Sequence, residues 1–358
     1  AEVQAQERKL VEMTGWSYYK NTWGQLSDGS WGFISEKLDE PTVYDHNYYY
    51  YNAKGEMVVE QASAQNFRYS YNTDGTVATR ELWSSRNGAF YPLSRTTYTY
   101  DDNQNVTKTV RQSLSTDGEV TNTAATYYEG YENGEYRVAK TYNVEDGEEV
   151  PLSETHYQLA FDEAGRLTQK IQLGKNYNIT DEDVYDQISQ GEFYTYENGQ
   201  LKQVVVANYT EGAEEGHKWD DVYSTTTYTY NADGTIATTY VITDSGSHSE
   251  VEWRYAYSTL DASLIPQNVT ADGTIGNNEI YVKWDAVTGA TAYIVIYDTS
   301  IATMEGKTEF IVPTLADGEH QVAVLAIVDG EKKNLSDFIK VTVKDSGNVP
   351  MENFQVPL

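Results

Sequence analysis

Tyr228-Thr229-Tyr230-Asn231-Ala232-Asp233-Gly234-Thr235-Ile236 is the stretch whose reading decides the fold. Side chains two apart on a strand point to one face. Tyr228 and Tyr230 therefore share one face, and Thr227 and Thr229 share the other. The Asn-x-Asp-Gly segment suits a type I turn closed by a left-handed residue, where Gly carries no Cβ penalty. Ile236 then opens the returning strand. The stretch is a complete β-hairpin tip.

The same grammar recurs along the chain. It reads Tyr49-Tyr50-Tyr51-Asn52-Ala53-Lys54-Gly55-Glu56-Met57, Tyr69-Ser70-Tyr71-Asn72-Thr73-Asp74-Gly75-Thr76-Val77 and Leu159-Ala160-Phe161-Asp162-Glu163-Ala164-Gly165-Arg166-Leu167. Tyr98-Thr99-Tyr100-Asp101 begins another copy, with Gln104 where Gly is expected and Val106 closing. A shorter form, Tyr131-Glu132-Asn133-Gly134-Glu135-Tyr136 and Tyr196-Glu197-Asn198-Gly199-Gln200-Leu201, suits the two-residue type I′ turn. The second aromatics fall at 51, 71, 100, 131, 161, 196 and 230, and the later spacings of 29 to 35 residues mark a repeat architecture.

Turn signals also mark the other ends of the strands: Arg86-Asn87-Gly88, Thr116-Asp117-Gly118, Glu145-Asp146-Gly147 and Asp244-Ser245-Gly246. Turns at both ends imply an up-and-down antiparallel meander. About 15 to 17 strands fit between Trp16 and Tyr257, and a sheet of that length curls or closes. The expected fold is all-β: a long meander of hairpin repeats, a curled sheet or barrel, followed by a small C-terminal β-sandwich. The expected divisions are an N-terminal helix or tail over 1–15, the repeat domain over 16–260, the sandwich over 264–345 and a tail over 346–358.

Composition excludes several roles. The net charge is −30, with 25 basic against 55 acidic residues, so no nucleic-acid partner is expected. There is no cysteine, which removes disulfides, thiolate catalysis and Cys-type zinc sites. A membrane barrel needs an outward apolar band. Here the face opposite the tyrosines is Thr, Ser and charge, and mean hydropathy is −0.62, so a membrane-spanning chain is not expected. The sequence begins at Ala1 and shows no secretory signal, which reads as a mature or trimmed form.

Over roughly residues 45–257 the repeat resembles the YD-type repeats of bacterial surface and RHS-like proteins. It is more closely similar to Bacteroidetes secreted families with Tyr-x-Tyr-Asp-x-x-Gly hairpins and a soluble porin-like sheet. Those families carry no assigned activity. The resemblance implies a fold and an extracytoplasmic address, secreted or outer-surface, with a lipid anchor before trimming as one form of the latter.

From Pro266 the texture changes: Tyr becomes scarce and Val and Ile rise. Ile280-Tyr281-Val282-Lys283-Trp284, the Gly289-Ala290-Thr291-Ala292-Tyr293 phrase and the Leu315-Ala316-Asp317-Gly318 corner resemble a fibronectin type III domain over roughly 264–345. His320 stands where that family often has its corner Tyr. The stretch from Asp298 to Thr308 is short, so a middle strand is expected to be missing. The resemblance implies a spacer or interaction module.

No catalytic residue, metal site or cofactor is expected. His46, His156, His217, His248 and His320 show no ligand spacing. Asp101-Asp102-Asn103-Gln104-Asn105 opens like a calcium loop, but Val106 and Gln112 stand at its sixth and twelfth positions, so it reads as a turn. Asp181, Glu182, Asp183 and Asp186 read as a solvated acidic loop. The candidate ligand-binding residues are Trp16, Tyr18, Trp23 and Trp31, whose rings could stack on sugars if exposed. The reading preferred from sequence has these tryptophans buried, covering the end of the sheet. The expected function is a surface or secreted binding or adhesion protein without catalytic activity, its ligand a glycan or a surface protein. A structural component of a surface complex is the alternative, and a glycoside hydrolase or lyase with paired carboxylates the second.

Overall fold

The computed structural model describes residues 8–176, 188–274 and 278–344. The acidic loop at 181–186 and the 346–358 tail lie outside the described residues.

Sixteen antiparallel strands follow one another in sequence order around a closed barrel. They run from β1 (Arg8–Gln25) and β2 (Trp31–Tyr51) through β3 (Met57–Ala62) to β15 (Ile236–Asp244) and β16 (His248–Thr259). The all-β, up-and-down expectation holds, and the sheet closes. Closure is made by β1, which pairs with β2 on one side and β16 on the other. The expected N-terminal helix or tail is corrected over residues 8–15, and residues 1–7 lie outside the described residues. Residues 8–15 are strand, held by pairings such as Met13 with Tyr255 and with Asn47. A helix there would leave both neighbouring edges unpaired.

The two turn grammars are both realised. Gly55, Gly75, Gly165 and Gly234 take positive φ, as the type I-plus-left-handed turn requires. Asn133-Gly134 and Asn198-Gly199 take positive φ at both central residues, as type I′ requires. Gln104 occupies the same left-handed position at φ 64°. The Asp101 carboxylate there accepts from the Asn103 and Asn105 backbone N–H groups at 2.9 Å, which makes it a turn former.

The repeat also fastens each unit to the next. The second tyrosine of a copy donates its hydroxyl to the backbone carbonyl of the apolar residue closing the copy before. Tyr71 donates to Met57 at 2.6 Å, Tyr100 to Val77 at 2.8 Å, Tyr196 to Leu167 at 3.0 Å and Tyr230 to Leu201 at 2.7 Å. Tyr131 donates to Val106 in the same way. Tyr257 continues the series to Ile236 at 2.9 Å, and Tyr51 closes the ring onto Leu10 at 2.6 Å. Phe161, lacking a hydroxyl, is the copy that cannot join.

After Thr259 the chain builds two further sheets. One holds β17 (Thr270–Asp272), β18 (Ile280–Lys283) and β21 (Glu309–Val312). The other holds β19 (Ala290–Tyr297), β20 (Ser300–Glu305), β22 (Gly318–Val328), β23 (Glu331–Leu335) and β24 (Ile339–Val343). Their core contains Ile280, Val282, Trp284, Tyr293, Val295 and Val324, all buried. The missing middle strand is a misreading: β20 fills the short stretch and pairs Tyr297 with Ser300 through Ala292 with Glu305. A tight turn at Asp298 and Thr299 makes room for it. His320 donates from Nε2 to the Ala316 carbonyl at 2.7 Å, a bond back to the chain four residues upstream.

This module lies flat against the barrel. Tyr50 and Val59 of the barrel are buried against Ile294, Ile296, Ala323, Leu325 and Leu335 of the module. Polar contacts run the height of the wall. Asn334 donates to the Asn52 carbonyl at one turn (2.7 Å), and the Ala316 N–H donates to the Gly88 carbonyl at the opposite turn (3.0 Å). Between them, buried Arg68 donates to the Asp298 carbonyl and stacks 4.1 Å from the Phe338 ring. Burial lowers the Arg68 pKa to about 10.

A two-sheet module with its own core is too wide to enter a barrel of this strand number. The face it covers is therefore the outer one, and the first tyrosines of the repeats, on the opposite face, line the lumen. Tyr49, Tyr69, Tyr98, Tyr194 and Tyr228 are all only part-buried there. Charged groups sit among them: Tyr69 donates to Glu60 at 2.5 Å and accepts from Arg80 at 2.9 Å. Most of the buried apolar core belongs to the C-terminal module. The barrel is held by its ladders and hydroxyl bonds around an interior in which tyrosine hydroxyls and charged groups bond one another.

Candidate binding surface

β1 and β2 are the longest strands, at 18 and 21 residues. Their lower halves belong to the barrel wall. β16 stays with β1 only as far as Ser17 opposite Val251, and β3 stays with β2 only between Asn47 and Tyr51. Beyond those points no third strand pairs with them among the described residues, though the Ser35 hydroxyl accepts from the His248 N–H of β16 at 3.0 Å. The register jumps between Ser17 and Tyr19, and Tyr19–Gln25 then pair with Trp31–Lys37 as a two-stranded arm. An isolated hairpin is marginal in water, so its cross-strand pairs must hold it. Trp23 and Phe33 pack edge to face at 5.0 Å, and the Asp28 carboxylate accepts from the Ser30 N–H and hydroxyl at 2.9 and 2.6 Å to fix the tip. Those bonds hold the Asp28 carboxyl below the usual range. Near the base, His248 sits 4.6 Å from the Tyr19 ring, and its hydrogen bonds to the Asp244 and Glu250 carboxylates raise its pKa.

The pairing puts Trp23, Trp31 and Phe33 on one face, since Trp23 lies opposite Phe33 and Trp31 two residues from it. Their exposures are 61%, 64% and 49%. Of the four residues singled out from sequence, the structure brings only Trp23 and Trp31 together. It overturns the expectation that they are buried: above Ser17 there is no sheet for them to cover. Trp16 and Tyr18 lie lower, half-buried on the outer wall. The Trp16 ring sits 4.9 Å from the Arg254 guanidinium, and Tyr18 lies against Tyr240 at 5.7 Å. Phe33 was missed, though its place two residues after Trp31 carried the signal. Among the described residues no three His, Asp or Glu side chains converge as metal ligands.

No family model matches the chain, and no curated protein does. Among solved structures it is similar to a porin-like protein from Bacteroides uniformis, at 10% identity and a TM-score of 0.33, covering 69% of this chain and 97% of that one. It is also similar to the chicken CNTN1 FN1–FN3 domains, at 10% identity and a TM-score of 0.22, covering 70% and 98%. A third similarity is to the FN3tt mut structure, at 20% identity and a TM-score of 0.18, covering 22% and 91%.

Proposed function

We propose that the chain is a secreted or surface-displayed binding or adhesion protein without catalytic activity, and that the β1–β2 arm takes its ligand, a glycan or a protein. The observation that supports this is the aromatic face of the arm. Three large rings left largely exposed on a projecting two-stranded hairpin forgo the favourable burial that aromatic side chains ordinarily gain. Exposed apolar patches of this kind mark interaction sites. The net charge of −30 keeps copies of the chain apart and leaves the arm accessible.

A glycan array and a pull-down from surface-protein extracts test the two ligand classes. Trp31→Ala should abolish or strongly weaken binding while changing stability by no more than about 0.5 kcal/mol, and Trp23→Ala should do so while also losing the Phe33 contact, worth about 0.5–1.5 kcal/mol. A wild-type chain that binds nothing in either assay sinks the reading. The docked C-terminal module supports a second reading, in which barrel and module form a rigid platform within a surface complex. That version expects stable co-purifying partners whose capture is indifferent to both tryptophans.

A further inference from the structure

One copy of the turn breaks the glycine rule, and it borders a cleft. Gln104 sits in the left-handed region at φ 64°, where the corresponding residues of the Asn/Asp-type repeat turns are glycines. A non-glycine residue there costs free energy, and such strain gathers at functional positions. Beside it, at the turn end of the lumen, lies a cleft of 460 Å³ bordered by Tyr98, Tyr128, Tyr131, Tyr136, Gln104 and Glu135. That volume falls in the range of small-ligand sites, about 300–1,000 Å³.

The cleft is built by an irregularity in the barrel. Between β8 (Val120–Glu129) and β9 (Val138–Glu145) the chain makes a short loop, closed by the Glu132–Glu135 bridge and the Arg137 N–H bond to the Glu129 carbonyl at 2.9 Å. The loop folds Tyr136 inward among other rings: Tyr128 at 4.8 Å, Tyr131 at 6.1 Å and Tyr157 at 5.6 Å, each tilted edge to face. Lys170 lies 4.8 Å from the Tyr136 ring centre and 3.0 Å from the Glu135 carboxylate. Burial raises the Tyr131 and Tyr157 pKa values to about 12, so both hydroxyls stay protonated at neutral pH.

The chemistry of the lining selects a ligand class. Hydroxyls, an amide and a carboxylate make the site too polar for a lipid or an apolar metabolite. Lys170 pairs with Glu135 at 3.0 Å, while Glu192 lies across the ladder from Lys170 and Asp101 acts on Tyr131, so the site is net acidic and an anion is disfavoured. The lining suits a ligand with apolar ring faces and many hydroxyls, with ring faces for the tyrosines and hydroxyls for the Gln104 amide and the Glu135 carboxylate. We propose that this lumen mouth is a saccharide-binding site, with Tyr128 and Tyr136 as stacking surfaces and Gln104 as a polar contact. The site is separate from the β1–β2 arm and does not depend on the arm's role.

The test is calorimetric titration of the full chain with maltotetraose, cellotetraose, xylotetraose and chitotetraose, with adenosine as the aromatic-stacking control. At least one sugar should bind with a Kd of about 1 mM or tighter, an affinity calorimetry resolves. Tyr136→Ala should weaken it at least about tenfold, the effect of losing one good contact. Gln104→Gly should weaken it several-fold while raising the unfolding midpoint, because strain is removed along with the contact. The second variant keeps the test decisive if Tyr136→Ala fails to fold. The proposal is overturned if no sugar binds, if adenosine binds in preference, or if both variants bind as well as wild type. Sugar binding lost in Trp23→Ala and kept in Tyr136→Ala would place the sugar on the arm, and would also overturn it.

Discussion

A single hydroxyl separates the two jobs of tyrosine in this chain. The first tyrosine of each repeat faces the lumen; the second spends its hydroxyl on the neighbouring unit's backbone. Tyr230→Phe removes one such bond, to the Leu201 carbonyl, and leaves the ring in place. The expected cost is about 1 kcal/mol, read as a lower urea midpoint with an unchanged slope. Phe161 is the natural counterpart: Phe161→Tyr should cost nothing or stabilise slightly. This division of labour was half legible. The Tyr-x-Tyr spacing told which side chains share a face, because that follows from strand geometry. The carbonyl each hydroxyl would reach belongs to the preceding repeat, and its position depends on strand stagger, which spacing does not encode.

At the scale of the element, His320 decides the corner of the C-terminal module. It is 1% exposed, and both ring nitrogens face acceptors: Nδ1 the Asp298 carboxylate at 2.7 Å, Nε2 the Ala316 carbonyl at 2.7 Å. A neutral imidazole can donate only once, so the full pair of bonds requires the imidazolium. Burial opposes that charge, but the bonds to Asp298 and Ala316 outweigh it, and the pKa is raised above the ordinary histidine value. A raised folded pKa gives stability that is complete below the unfolded value, near 6.5, and is lost as pH climbs through the folded value. The module should therefore weaken as pH rises above about 6.5, and His320→Leu should flatten that part of the profile. Urea midpoints at several pH values compare the two. The sequence marked His320 as a departure from the family's tyrosine; what it could not give was the carboxylate waiting beside it, set by the tight turn before β20.

At the scale of the whole molecule, the C-terminal module is part of the barrel's outer wall. Gly88 marks how close the two surfaces come. A Cβ there would lie 2.8 Å from the Ala316 nitrogen and the Thr314 oxygen, at a φ of 78° that only glycine adopts freely. Gly88→Ala should cost about 1–3 kcal/mol in backbone strain alone and prise the module away. Calorimetry should then split one unfolding transition into two, and the link near residues 260–269 should become open to protease. Sequence texture suggested a change of module near Pro266, because composition changes there. It gave no hint of docking, since Tyr50, Val59 and Arg68 read as ordinary wall residues. The arm was hidden for the same reason. Whether a tryptophan on a strand is covered depends on how far the neighbouring strands extend, and that is settled only by the closed ring.

The closing pair of strands also governs how the chain must fold. Every other neighbour in the barrel is made by a local hairpin, so those pairings can form early and in any order with little loop-closure cost. The join between β1 and β16 brings Arg8 to Thr259, across the whole length of the barrel sequence. Until the last strand is synthesised, the first has a bare edge, and so does each strand at the growing end. Contacts of that sequence separation form late and slow the overall rate. An open-ring intermediate with two unsatisfied edges is the species most exposed to pairing between chains, and the strong negative charge is what would hold such chains apart until the ring is shut.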